Sequence, residues 1–364
     1  MADVLLKELS NADIDWMVTT GQRQEIAATH ILIKPNQELE TLYVLLDGSL
    51  SIILPQTETH SAEMAAASSA EMVCSDQEVA QISRGEIVGE APLFNIRPAA
   101  MVKAVEDSLV LSISQQQLSA KLQQDIGFAA HFYRAIALML AERLRQMYER
   151  TEQIRFGDDQ AAKEALFVFG EMRDSDIDWL TSAGQVEKLA PDKVLLQAGR
   201  PVEALYIVLD GLLSISRPEG DFNSLSLCFS GLEKSTRTQT VFADMSRGGL
   251  PGIISVLDFQ PLPVTIRAVK ESLVFAVPRQ RLAAKLQQDM GFASRFYRII
   301  AIQISDLLQT VMEHLGCDRP SYSQVKGMDE AVEYDDELDL DSLHQVSHGA
   351  AKFNWMLKRL GVGY

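Results

Sequence analysis

His344 and His348 stand four residues apart, a spacing that turns two imidazoles to one face of a helix and could hold a metal ion. No cysteine lies near them, and the pair reads as polar tail residues rather than a metal site. Cys74, Cys228 and Cys317 are unevenly placed, and three thiols cannot complete a disulfide set. They fit a reducing cytoplasm. The chain has no Gly-x-Ser-x-Gly elbow, no P-loop, no His-Glu-x-x-His and no Cys-x-x-Cys. No residue constellation supports catalysis, so the chain is expected to be a non-enzyme without a cofactor.

The tail carries a different kind of chemistry. Phe353, Met356, Leu357 and Leu360 recur at i, i+3, i+4 and i+7 beside Trp355, with Lys352, Lys358 and Arg359 flanking them. An aromatic amphipathic segment on a polar linker is built to dock in a groove of a partner. The alternative is that it folds back onto its own domains or onto a twin chain. Between it and the preceding helix, Asp329 to Asp341 carries eight acidic residues and no basic one.

Charge excludes several partners. With 33 basic against 50 acidic residues the net charge is −17, which repels nucleic-acid phosphate and anionic lipid. No Lys/Arg cluster offsets it. Asp3 and Glu8 interrupt the N-terminal apolar run, so no secretion signal is expected. No uninterrupted apolar stretch is long enough to span a membrane. The expected protein is cytoplasmic, with no nucleic-acid partner and no membrane span.

The elements that position these residues come twice. Asp13-Ile14-Asp15-Trp16 returns as Asp176-Ile177-Asp178-Trp179, a shift of 163, and Arg84-Gly85 and Gly89 meet Arg247-Gly248 and Gly252 at that shift. Farther on the shift is 164: Lys121 to Asp125 matches Lys285 to Asp289 identically, and Phe132-Tyr133-Arg134 recurs as Phe296-Tyr297-Arg298. The chain is an internal duplication. Each copy opens with a short helix, in the first around Ile14 to Thr19, and continues as short strands with turn punctuation. Asp210-Gly211, between Leu205–Leu209 and Leu212–Ile215, predicts a two-residue type I′ hairpin. Each copy closes with a helix, the first running from Gln117 to Arg155. Phe132, Ile136, Leu140, Leu144 and Met147 make its apolar stripe, and Phe296, Ile300, Ile304 and Leu308 make the second. Those stripes also make a homodimer plausible. The run Gln56 to Gln81, rich in Ser, Ala, Glu and Thr, is expected to be an inserted mobile loop.

Helix, strands with a Leu-Tyr-x-Val-Leu-x-Gly-x-Leu signature, a Gly-Glu turn and a long closing helix resemble the cyclic-nucleotide-binding domain. The resemblance covers roughly residues 8–155 and 165–315. The tandem layout is similar to the regulatory subunit of cyclic-AMP-dependent kinase, and the Phe-Tyr-Arg run resembles bacterial, especially cyanobacterial, members. The fold this implies is mainly β with flanking α (α+β): two tandem jelly-roll-like barrels, each closed by a C-terminal helix. The implied domains are 1–155, a degenerate copy at 156–316, and an acidic linker with an amphipathic segment at 317–364. The family's DNA-binding module and kinase pseudosubstrate are not expected to have a counterpart in this chain.

In that family the ligand sits on a cassette of a Gly-Glu turn, a one-turn helix and an Arg. Carried over, the resemblance implies a cyclic AMP or cyclic GMP site at Gly89, Glu90, Ala91, Leu93, Arg97, Ala99 and Ala100. Backbone N–H groups would face the phosphate, Arg97 would pair with it, and Glu90 would accept the ribose hydroxyl. This copy departs from the family: Pro98 holds the usual Arg position, and the cassette is one residue shorter than in the second copy. In the second copy Ile253 replaces the Glu, Gln260 corresponds to Arg97, and Leu262 holds the Arg position. That pocket is expected to be filled and structural. The chain as a whole is expected to be a regulatory or adaptor protein that signals to a protein partner, sensing nucleotide through its first copy. The alternative is a scaffold in which neither pocket binds.

Overall fold

The computed structural model describes residues 4–54, 77–94, 96–150, 169–218, 239–316 and 340–362. Cys74, Cys228, Cys317 and most of the Gln56 to Gln81 run lie outside these residues. By its internal contacts the chain divides into two units, Met1–Arg150 with Ile304–Asp318, and Thr151–Gln303 with Arg319–Tyr364. The last turns of the second closing helix thus group with the first unit.

Unit 1 opens with α1 (Val4–Glu8) and α2 (Asn11–Thr20). Ser10 caps α2 reciprocally: the Asp13 amide donates to the Ser10 hydroxyl at 3.2 Å, and the Ser10 amide to the Asp13 carboxylate at 2.8 Å. Two four-stranded antiparallel sheets follow. The first orders β1 (Gln22–Ile26), β8 (Ser108–Ser114), β3 (Thr41–Asp47) and β6 (Ile87–Val88). The second orders β2 (Ile31–Ile33), β7 (Met101–Ala104), β4 (Leu50–Leu54) and β5 (Gln77–Ile82). Alternation along each strand turns one face inward, and the core forms between the sheets. Ile26, Leu45, Val88 and Val110 of the first sheet pack there with Ile33, Leu50, Ile82 and Val102 of the second. β5 corrects the sequence reading, which placed its first residues in a mobile loop. It pairs with β4, and Val79, Ala80 and Ile82 are buried.

Unit 2 repeats the plan: α5 (Asp174–Ala183), a sheet of β11 (Ala204–Asp210), β15 (Ser272–Pro278) and β9 (Gln185–Leu189), and a second sheet. That second sheet orders β10 (Val194–Leu196), β14 (Thr265–Ala268), β12 (Leu213–Pro218) and β13 (Gln239–Met245). The Asp210-Gly211 hairpin is not formed. β11 pairs with β15, whereas β12 pairs with β13 and β14, so the turn carries the chain from one sheet to the other. Of the two turn residues only Gly211 has positive φ, 112°, and a Cβ there would lie 2.1 Å from the Ser272 hydroxyl. A type I′ turn needs positive φ at both.

The closing helix of unit 1 is also not continuous. α3 (Gln115–Gln124) ends at Asp125, and α4 (Ile126–Arg150) begins there. The Asp125 carboxylate accepts from the Phe128 amide at 3.0 Å and from Lys121 Nζ at 2.8 Å. Those bonds, led by Lys121, hold its pKa below the usual aspartate value. A carboxylate at a helix N-terminus satisfies an orphan amide and meets the positive end of the helix dipole. Unit 2 repeats this break at Asp289, between α7 (Arg279–Gln288) and α8 (Met290–Gly316), with Lys285 and Phe292 as partners. The predicted apolar stripes are buried in both closing helices.

One anchor differs between the copies. Asp13 pairs with His131 at 2.8 Å, whereas the equivalent Asp176 takes two bonds from Arg295, at 2.7 and 2.8 Å. Burial pushes the Asp13 carboxyl up, but hydrogen bonds from Ser10 and His131 outweigh it and hold the group below 3.8. A depressed folded pKa contributes stability above the unfolded value and loses it as pH falls through the folded one. Acid titration of Asp13→Asn, followed by Trp16 fluorescence, is therefore expected to show a flatter stability curve from about pH 4 downward than the parent. An unchanged curve would remove this assignment.

Candidate ligand site of the first unit

β6 ends at Val88, and Gly89 after it, with a φ of +88°, turns the chain out of the sheet into the one-turn helix Ala91–Phe94. A Cβ at Gly89 would come within 2.8 Å of the Thr41 carbonyl, so the turn requires glycine. Gln115, the first residue of α3, donates to the Gly89 carbonyl at 2.9 Å. From α4, Arg143 reaches the same turn. It donates to the Glu90 carboxylate at 2.7 Å and, through its other terminal nitrogen, to the Ile87 carbonyl. Both charged side chains are nearly buried, at 11% and 13% exposure. Arg143 Nε is buried and has no hydrogen-bond partner among the described residues.

These residues open onto a cavity of about 100 Å³. A single water needs only ~10–15 Å³, so the space admits more than one ordered solvent molecule. Gly89, Glu90, Ala91, Arg97, Ala99 and Ala100 all line it, while Leu93, half-buried on the one-turn helix, does not. Six of the seven residues singled out in the cassette are thus brought together. Arg143 joins them, as do Ser305, Gln309 and Met312 from the last turns of α8, which group with this unit. Met312 packs on the small cluster of Leu54, Val79 and Ala100. Arg97 is exposed at the rim, and no hydrogen bond or ion pair engages its side chain among the described residues. The cavity therefore pairs an apolar wall with a carboxylate already held by one guanidinium and a second guanidinium free to meet an anion.

Sequence reasoning missed Gln115 and Arg143. Arg143 lies within a helix read only for its apolar stripe, and its acidic partner is 53 residues away. The duplication held the signal. At the repeat shifts Glu90 becomes Ile253 and Arg143 becomes Leu307, so both charges disappear together in the second copy.

In unit 2 the corresponding turn is apolar. Ile253 and Leu262 are buried, Gln260 is exposed, and α6, a helix of six residues (Ile253–Asp258), replaces the one-turn helix. A Cβ on Gly252 would lie 2.6 Å from Leu196 Cδ1, whereas one on Gly89 would lie 3.7 Å from the equivalent Ile33 Cδ1. The apolar wall has moved in on the glycine.

The amphipathic tail forms α9 (Leu340–Arg359). Of the two readings the sequence left open, docking on a partner or folding back, its apolar face takes the second on the chain's own unit. Phe353, Met356 and Leu357 are buried, and Trp355 and Leu360 are half-buried, within unit 2. Phe353 meets Phe169 with ring centroids 5.0 Å apart, and Arg359 pairs with Asp178 at 2.9 Å. Arg247 lies 5.0 Å from the Phe353 ring and donates to Asn354 at 2.9 Å, while Lys352 donates to the Gly170 and Met172 carbonyls. Covering that face on the chain's own unit removes apolar area from water without the translational loss of binding a second molecule. His344 and His348 fall in α9, and among the described residues no group of three or more His, Cys, Asp or Glu could hold a metal. Among the same residues no helix is long and apolar enough to cross a membrane.

The family profile described as Cyclic nucleotide-binding domain matches residues 23–125 and 186–289, together more than half the chain. Solved structures similar to the chain include the regulatory domain of Toxoplasma gondii PKA with cAMP, at 16% identity and TM-score 0.28, covering 80% of this chain and 90% of that one. The regulatory subunit of a cAMP-independent protein kinase A from Trypanosoma cruzi, bound to guanosine, matches at 16% identity and TM-score 0.28, covering 79% and 81%. A c-di-GMP-responsive global regulator from Xanthomonas campestris matches at 20% identity and TM-score 0.32, covering 38% and 60%. No curated protein matches the chain.

Proposed function

We propose that this chain, which belongs to the cyclic nucleotide-binding domain family, is a non-enzymatic regulatory protein whose first unit senses a cyclic nucleotide and whose second unit is structural. The convergence of Gly89, Glu90, Arg97 and Arg143 on one cavity supports this reading, together with the loss of three of those four in unit 2. Each group has a chemical task. Arg97 supplies a charge-assisted partner for a cyclic phosphate. Glu90 accepts a ribose hydroxyl, and the guanidinium of Arg143 holds its carboxylate oriented. Because Arg143 belongs to α4, any shift of the Glu90 turn on binding is felt by the closing helix. That gives ligand a lever on a two-state element, provided it binds one arrangement more tightly. A protein partner would read the helix.

A scaffold in which neither pocket binds is the second reading, favoured by the Glu90 carboxylate being already engaged and by Met312 on the cavity wall. Thermal-shift and calorimetric titration of the intact chain with cyclic AMP, cyclic GMP and cyclic dinucleotides separates the two. A sensor is expected to take up one nucleotide per chain and gain about 2.7 kcal/mol at a hundredfold excess over Kd. Arg97→Ala is expected to lower that affinity roughly tenfold to a hundredfold, the value of a hydrogen bond to a charged group. No uptake of any of these ligands at millimolar concentration would leave the scaffold.

A further inference from the structure

In unit 2, three side chains from separate elements converge on α9: Phe169 packs at a tilt against Phe353, Asp178 pairs with Arg359, and Arg247 reaches Phe353 and Asn354. At the repeat shift of 163 these positions are Leu6, Asp15 and Arg84 in unit 1. The frame that carries them is the same in both units. Glu8 pairs with Arg134 at 2.9 Å, as Glu171 does with Arg298. Trp16 meets Phe128 edge-on at 5.1 Å and 67°, and Trp179 meets Phe292 at 5.2 Å and 65°. Gly85 donates to the Leu45 carbonyl at 2.8 Å, as Gly248 does to that of Val208 at 2.6 Å. Equivalent frames put the three residues in equivalent places.

What differs is the cover. Leu6 is 63% exposed where Phe169 is 1% exposed. Asp15 and Arg84 are exposed, and among the described residues no hydrogen bond or ion pair engages either side chain. Val18, one turn along α2 from Asp15, is 50% exposed.

We propose that this face of unit 1 is a docking site for an amphipathic helix of a partner protein, with the chemistry that α9 shows on unit 2. Such a helix carries an aromatic ring for Leu6, an amide or carboxylate acceptor beside it for Arg84, and a cation six residues on for Asp15. The occupant comes from another protein because α9 is already engaged: Phe353, Met356 and Leu357 are buried and Arg359 is paired. Docking covers the exposed leucine, gives Asp15 an opposite charge and gives Arg84 an acceptor. An apolar centre decides whether the helix binds, and the rim charges decide its direction and register.

A fluorescent peptide of residues 340–362, titrated onto the intact chain, supplies this chemistry as a probe. One peptide per chain is expected to bind. Asp15→Arg and Leu6→Asp, both at exposed positions that leave the core intact, are expected to weaken it at least tenfold. The same peptide with Arg359→Asp is expected to regain affinity for the Asp15→Arg chain, which no loss of folding could mimic. Failure to bind at millimolar peptide overturns the proposal, as does binding that neither variant weakens. Binding lost in Asp178→Arg but not in Asp15→Arg would place the peptide on unit 2 in exchange with α9, and overturns it too. A dimer of the intact chain that Leu6→Asp dissolves would make the occupant a second copy, against a separate partner.

Discussion

Glu90→Ile is expected to destabilise unit 1 by about 3–5 kcal/mol, because it leaves the Arg143 guanidinium buried without its counter-charge. Arg143→Leu is expected to cost a similar amount by stranding the Glu90 carboxylate. The combined Glu90→Ile and Arg143→Leu variant installs the residues of the second copy, Ile253 and Leu307. It is expected to fall within about 1–2 kcal/mol of the parent, since replacing a buried ion pair by apolar groups is often neutral. The remaining deficit would be the Ile87 carbonyl, which loses its guanidinium donor. Urea unfolding of the four proteins gives the coupling directly, provided the slope with denaturant stays constant. Single variants that each cost under about 1 kcal/mol would mean the pair is solvated and carries no structural weight. If the fold of the double variant survives and nucleotide uptake is lost, the pair serves the site rather than the core. The second copy is then the outcome of that exchange already made.

What was legible in the sequence follows from what repeats. Identities such as Lys121 to Asp125 against Lys285 to Asp289 fix two copies of one plan, and each Asp does the same work at the same helix break. Gly89 and Glu90 were legible through the family resemblance, which carries the Gly-Glu turn as a local unit. The Asp210-Gly211 turn misled because turn chemistry reports the local reversal of the chain and not which sheet receives the next strand. β12 joins β13 and β14 through contacts up to 55 residues away, as in Leu213 with Ala268, and no dipeptide encodes that. Arg143 was hidden by its helix: an apolar stripe explains the buried residues around it so well that one cation attracts no notice. The tail showed its amphipathic face plainly. Its receiver, Phe169 and Asp178, stands more than 180 residues earlier and only the folded unit brings it near.

Phe353→Ala is expected to release α9 from unit 2 while leaving the two sheets of that unit folded. Removing a phenylalanine buried to 1% exposure costs about 3–5 kcal/mol when the gap cannot collapse. The polar contacts cannot replace it. Arg359 and Asp178 are about half exposed, and surface pairs of that kind contribute only about 0–1 kcal/mol. Nor can helix propensity, because a helix of 20 residues without its apolar contact is marginal in water. Hydrogen exchange should therefore show amides of residues 349–359 losing protection in Phe353→Ala, with β11 and β15 still protected. Arg359→Ala should change the same amides far less. Equal losses in the two variants would make the ion pair, not the aromatic contact, the anchor. Persistent protection in Phe353→Ala would mean that Met356 and Leu357 suffice, and the aromatic position would then drop out of the chemistry required of a helix on the Leu6 face.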